Sequence, residues 1–253
     1  MKKWSFAIWL KEQASQNVEI QVAKFLENIL DQAAALKKQD MSTGNSKSFS
    51  DYAEQVWPKE AIQRYTLVLP GSLPPDVAGK KVQFKWQSSI HRATTLHYDG
   101  KFDGFVINVA PIDKATTPEE IDSYISGLKS TMHHEAEHIF NPGSLYDTDA
   151  DDDHDAKQRS AINYMSHPGE LKAHARQMAY VYSQKFPGEP FDLKKAQSIL
   201  NHPGFNQTHR NYFQNLSNPG VWDGHVAKYG LNQANPHDQI VSLMPQYLNQ
   251  YQG

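Results

Sequence analysis

The sequence predicts an α+β protein in which a small antiparallel or mixed sheet precedes two long helices, with further helices at both ends of the chain. Two features predict the sheet and the first long helix: β-branched and aromatic runs between residues 64 and 111, and a strong helix start at Thr117. With 253 residues, the chain can form one large domain or a core with smaller lobes. We expect a helical segment and linker over 1–50, a core over 51–186 and a mainly helical lobe over 187–253.

Composition narrows the chemistry that is available. The chain has no cysteine, which excludes disulfides and thiolate sites, so a bound metal would need histidine, aspartate or glutamate. Histidine is plentiful, with 12 residues. The formal net charge of −3 gives no general attraction to phosphate backbones or anionic membranes, so we expect neither nucleic acid nor membrane as a partner.

The N-terminus has a basic start and a short apolar run. That run ends at Lys11, has no clear small-residue cleavage site, and is shorter than a usual signal-peptide core. No stretch approaches the roughly 18–20 apolar residues that span a bilayer. We therefore expect a cytoplasmic protein.

The N-terminal helix, the linker and the strands are predicted from the spacing of apolar residues and from the Pro, Gly and Asp residues that interrupt them. Apolar residues at helical spacing predict an amphipathic helix over Val18–Lys37, and the small polar segment Met41–Ser50 predicts a linker. Four runs bounded by Pro, Gly or Asp turns predict the strands. These runs are Tyr65–Leu69, Val82–Trp86, Thr94–Tyr98 and Phe105–Val109.

Two long helices follow the predicted strands. Thr117, Pro118 and Glu120 form a capping-box start, and the helix can run to Phe140, before an Asn-Pro-Gly stop. Ser166 can cap the second helix, which runs to about Phe186.

The first long helix carries the pattern His134-Glu135-x-x-His138. Residues four apart on a helix lie one turn above each other, so both imidazoles can reach one ion, and Glu135 lies where it can accept a proton from water. An apolar stripe adjoins this face, as a helix between core and cleft requires. It consists of Ile121, Ile125, Leu128, Met132 and Ile139. His133 points about 100° away from His134, which suits a supporting or surface role better than ligation.

A catalytic zinc ion needs a third protein ligand and an open position for water. A third histidine six residues after His138 is absent, because that position is Ser144. Glu170, in the first turn of the second helix, is the best candidate, although it could simply interact favourably with the helix dipole. Competing ligands are Asp151, Asp153, His154 and His174. The acidic loop around them lacks the glycine and the final glutamate of a calcium loop, so we interpret it as solvated, with a weak cation site as the alternative.

These residues resemble the gluzincin branch of the zincin metallopeptidases, in which a His-Glu-x-x-His helix precedes a helix that supplies a glutamate. The resemblance spans about residues 64–186 and rests on His134, Glu135, His138 and Glu170. It implies a zincin-like core over 51–186 and an edge strand, expected at Phe105–Val109, that pairs with an extended peptide. The Asn-Glu-x-x-Ser-Asp sequence of the best-known members is absent: Gly169 precedes the glutamate, and Ala173-His174 takes the Ser-Asp positions.

The predicted activity is that of a zinc metallopeptidase acting on a peptide or protein substrate, with Zn²⁺ bound by His134, His138 and Glu170. Glu135 would be the general base for a zinc-activated water, and Tyr164 or His167 would donate a hydrogen bond to the developing oxyanion. Two alternatives stay open. The first is a non-catalytic structural or binding protein with a degenerate or structural metal site, and the second is a metal-dependent hydrolase of a non-peptide amide.

Overall fold

The described part of the chain divides into two compact units, residues 1–140 and 141–253. The computed structural model describes residues 6–44, 47–63, 66–86, 92–99, 101–140, 167–200, 222–224, 226–227 and 235–251. In the first unit the elements are α1 (Phe6–Thr43), α2 (Phe49–Val56), a 3₁₀ turn (Lys59–Ala61), β1 (Ile62–Gln63), β2 (Thr66–Val68), β3 (Lys81–Lys85), β4 (Ala93–Tyr98), β5 (Lys101–Asn108), α3 (Ala110–Lys114) and α4 (Pro118–Glu137). In the second unit they are α5 (Pro168–Lys185), α6 (Leu193–Leu200) and α7 (Pro236–Leu248). The predicted α+β class, with a small mixed sheet and several helices, is confirmed.

Helix α1 is longer than the Val18–Lys37 segment that its apolar period predicts. It extends to Thr43, so the first residues of the predicted linker are helical. Its apolar stripe is buried, with Val22, Leu26 and Leu30 fully excluded from solvent. The chain then restarts at Ser48, whose side chain caps α2 in a capping box with Asp51.

The sheet of the first unit is mixed, with strand order β1-β2-β3-β5-β4. β3 and β5 pair in parallel, whereas the other neighbouring strands pair antiparallel. At Gly104, with φ of 144°, a Cβ would lie 2.0 Å from the Lys81 carbonyl oxygen, so the parallel pair needs glycine there. The prediction that Phe105–Val109 is an edge strand is wrong, because β5 lies between two strands and buries Phe105 and Ile107. In the described sheet, β4 is the edge strand beside β5.

Helix α4 begins as predicted. The Thr117 side chain accepts from the Glu120 N–H, and the Glu120 carboxylate accepts from the Thr117 N–H, with Pro118 in the first turn. The whole predicted apolar stripe of α4 is buried in the core of the first unit. Helix α1 packs against α4 through this core and through three polar contacts in antiparallel order. Two are ion pairs, Asp31 with Lys129 at 2.7 Å and Lys38 with Asp122 at 2.6 Å, and the third places Glu27 Oε1 3.5 Å from His133 Nε2.

The second unit has its own apolar core. Helix α5 packs mainly against α7 and also against α6, and Tyr182 and Met178 of α5 are fully buried. The N-cap of α5 is His167, whose Nδ1 accepts from the Gly169 N–H at 3.2 Å, and not Ser166 as predicted. Ser166 itself lies outside the described residues. No helix in the described part of the chain has the length and apolarity needed to cross a membrane.

Candidate metal centre

The His134 and His138 imidazoles meet at the end of α4. Their side chains project from successive turns, and both residues are buried, with 8% and 5% of their surface exposed. The two Nε2 atoms lie 3.3 Å apart, and the ring planes are inclined at 74°. The predicted spacing thus brings one nitrogen of each ring to a common point inside the protein.

This separation fits a shared metal ion. Two nitrogen ligands held about 2.0–2.1 Å from a tetrahedral zinc ion lie about 3.3–3.4 Å apart. In the absence of an ion, one Nε2 would have to carry a proton and donate it to the other, because two facing lone pairs repel. Metal binding at this point therefore requires both Nε2 atoms to be deprotonated.

The Glu135 side chain contacts strand β4. Its Oε2 atom accepts from the Thr95 N–H at 2.7 Å and lies 2.8 Å from the Thr95 hydroxyl. The same hydroxyl lies 2.7 Å from the Glu135 carbonyl oxygen. The carboxyl that the motif predicts as a base is half-buried and is held through one of its two oxygens.

His133 contacts helix α1. It is fully buried, and its Nε2 lies 3.5 Å from Glu27 Oε1 on helix α1. The predicted 100° rotation between neighbouring residues accounts for this, since it directs His133 into the α1 contact. His133 supports the packing of α4.

Sequence reasoning missed His97, the other polar side chain of β4 at this end of α4. Burial lowers the pKa of His97, and bonds to the backbone of His138 and Ile139 raise it by less, so the net shift is downward. Its ring stacks edge to face on Phe102, with centroids 6.4 Å apart. The sequence did indicate that Thr95 and His97 share one face of the strand, because they are two residues apart. It could not indicate which helix this face contacts.

Helix α5 carries Glu170 and His174, one turn apart and both 1% exposed. Glu170 lies in the first turn, where the helix dipole favours an anion. Leu171 and Ala175, each one residue further along, belong to the apolar core of the second unit. The helix therefore buries an apolar stripe and a polar stripe beside it.

The predicted ligands are buried in both units: His134 and His138 in the first, and Glu170 in the second, where His174, considered in the sequence only as a competitor, is equally buried. These side chains offer histidine nitrogen and carboxylate oxygen, a set that suits zinc and other first-row divalent metals. The identity of the metal stays a prediction.

The remaining predicted site residues divide into two cases. Tyr164, Asp151, Asp153 and His154 lie outside the described residues, as does the whole acidic loop. His167 is described and caps α5, which uses its Nδ1 as an acceptor. Its Nε2 stays chemically able to donate a hydrogen bond when it carries the proton, so its predicted role toward an oxyanion stays a prediction.

Comparisons with protein-family models, with curated proteins and with solved structures gave no significant match. Functional inference for this chain therefore rests on its own residues and their geometry.

Proposed function

We propose that this chain is a zinc-dependent metallopeptidase of the gluzincin type, with a zincin-like core. The observation that carries the proposal is the 3.3 Å separation of the His134 and His138 Nε2 atoms, which suits two ligands of one zinc ion. His134, His138 and Glu170 would hold the ion through two nitrogens and one oxygen. Three protein ligands would leave a position open, as catalytic zinc sites require.

A bound zinc ion would supply a Lewis acid that polarises a substrate carbonyl and lowers the pKa of water toward about 7. Glu135 supplies the base. Its carboxylate accepts a proton as the water oxygen attacks the peptide carbonyl carbon, and it returns that proton to the amine nitrogen as the C–N bond breaks. The Thr95 contacts hold one carboxylate oxygen during both transfers.

The substrate of the proposed enzyme is a peptide or an unstructured protein segment. Strand β4 supports this choice, since it is an edge strand of the described sheet and contacts α4 at the motif through Thr95. Because Glu135 already accepts the outward Thr95 N–H, an extended peptide would have to pair with the strand beyond Thr95. An edge strand can bind an extended peptide through main-chain hydrogen bonds. Metal-dependent hydrolysis of a non-peptide amide would use the same chemistry but gives no role to this edge.

A structural metal site is the second candidate, and His174 favours it. If the buried His174 bound the ion together with His134, His138 and Glu170, four protein ligands would close the site, as in structural zinc centres. The closed site would bind metal tightly without activating water.

The decisive variant is Glu135→Gln, which removes the base and keeps the shape of the side chain. The parent protein should contain about one equivalent of zinc by mass spectrometry and should cleave a denatured protein substrate. The variant should keep its zinc and lose about 10²- to 10⁴-fold in kcat. A parent that binds zinc but cleaves no peptide or amide would favour the structural site, and a parent that binds no zinc would contradict both candidates.

A further inference from the structure

Strand β4 directs one backbone donor out of the sheet toward α4. In the antiparallel pair of β4 and β5, Thr94 lies opposite Val106 and Thr95 opposite Phe105. The Asn108 N–H donates to the Arg92 carbonyl, and hydrogen-bonded pairs alternate along the strand. Arg92 and Thr94 therefore direct their backbone groups toward β5, and Thr95 directs its N–H away from the sheet, where Glu135 accepts it.

The contact between Thr95 and Glu135 joins two donors to one carboxylate. The Thr95 N–H is committed to Oε2 at 2.7 Å, a short bond to an ionised acceptor. The single hydroxyl proton can point either to Oε2 or to the Glu135 carbonyl oxygen, which lie 2.8 and 2.7 Å away. Both arrangements tie residue 135 to the strand, one through its side chain and one through its backbone. The Oε1 atom takes no part in these three contacts.

We propose that Thr95 is the positioning residue of the base Glu135 and that strand β4 thereby fixes which carboxylate oxygen accepts the proton. The inference rests on the proposed function. Glu135 is only half-buried, so without Thr95 its side chain would sample several rotamers. Holding Oε2 removes this freedom before the reaction begins, which is the general advantage of a preorganised site.

The same strand also contacts the end of α4. The His97 imidazole lies close to the backbone of His138 and Ile139 at the C-terminal end of α4. Thr95 therefore belongs to a strand that contacts the base and lies beside the end of the helix.

The kinetic test uses three full-length, zinc-loaded variants. Thr95→Val removes the hydroxyl at nearly constant shape, Thr95→Ser keeps it, and Thr94→Val changes an exposed neighbour as a control. Because Thr95 acts on the base and not on the substrate, Thr95→Val should lower kcat by about 10-fold or more, with KM and zinc content unchanged. Thr95→Ser should restore most of kcat. An unchanged kcat in Thr95→Val, or an equal loss in Thr94→Val, would overturn the proposal.

Amide hydrogen exchange tests the contact without requiring activity. Glu135→Ala removes the acceptor of the Thr95 N–H and should speed exchange of this amide by at least about 10-fold, whereas Glu135→Gln keeps an acceptor and should leave it slow. The Thr94 amide, directed toward β5, serves as the internal control. Unchanged exchange at Thr95 in Glu135→Ala would show that Glu135 is not the acceptor of the Thr95 N–H and would overturn the proposal. A parent protein that cleaves no peptide would instead overturn the proposed function, whatever the exchange rates.

Discussion

Helices α4 and α5 both carry buried histidine and glutamate side chains one turn apart, but neighbouring elements hold them differently. On α4, two polar contacts add to a buried apolar stripe: Thr95 donates to Glu135, and Glu27 lies 3.5 Å from His133. On α5, the helix is fixed by an apolar stripe packed against α7, with Glu170 and His174 on the stripe beside it. On α4, we therefore expect some polar substitutions to change activity and others to change stability. On α5, substitutions should show whether Glu170 or His174 binds the metal.

The largest expected change is in zinc affinity, for substitutions on α5. Glu170→Ala removes a proposed ligand and should weaken zinc affinity by more than about 100-fold. His174→Ala should cost about 10- to 100-fold, the range typical of groups that support a ligand. Zinc affinity can be measured by competition with a chromogenic chelator. A greater loss in His174→Ala than in Glu170→Ala would make His174 the ligand and contradict the assignment of Glu170.

On α4, the neighbouring histidines should separate metal binding from stability. His133→Ala removes a fully buried imidazole that contacts Glu27 and should lower the free energy of unfolding by about 1–3 kcal/mol, with zinc content unchanged. Lys38→Ala, which breaks an exposed ion pair between the same two helices, should cost less than about 1 kcal/mol. Urea denaturation and metal analysis measure both quantities. Loss of zinc from folded His133→Ala would contradict the supporting role of His133.

The smallest effect concerns the other end of α4 and depends on pH. The Tyr124 hydroxyl donates to the Asn108 carbonyl at 3.0 Å, and burial raises the pKa of Tyr124 to about 12, against a smaller opposite effect of Arg92. Below pH 10 both the folded and the unfolded states keep this proton, so the stabilisation is complete. Between pH 10 and about 12 only the unfolded chain ionises here, and stability falls.

Tyr124→Phe should therefore show a shallower loss of stability over this pH range than the parent. Its ultraviolet titration should lack one late phenolate step. A titration in which the parent and the variant differ only near pH 10 would show that Tyr124 ionises as an exposed tyrosine does.

Local patterns predicted much of α4 and of the strands. The Thr117 capping box and the spacing of His134 and His138 depend on residues within one helix, so they could be predicted without knowledge of the fold. The four predicted strand runs overlap β2 to β5, because β-branched and aromatic runs between turn residues are local signals, but β5 begins at Lys101 instead of Phe105 and the short β1 was not predicted. The order of strands was not predictable in this way, and β5 proved to be interior because pairing depends on contacts distant in sequence.

The contacts that surround the site were harder to predict for the same reason. Thr95 and His97 lie about 40 residues before the motif, and no local pattern relates a strand residue to a helix carboxylate at that distance. The cap of α5 was misplaced by one residue because serine is the commoner N-cap, whereas here His167 accepts the first-turn N–H.

The central claim is that the paired imidazoles of α4 bind one zinc ion, and X-ray absorption at the zinc edge tests it most directly. The zinc-loaded parent should show imidazole scattering from at least two histidines, with Zn–N distances of about 2.0–2.1 Å, and a carboxylate oxygen in a four- or five-coordinate shell. His134→Ala should lose this signal. A shell of oxygen ligands alone, or the same imidazole signal in His134→Ala, would contradict the account.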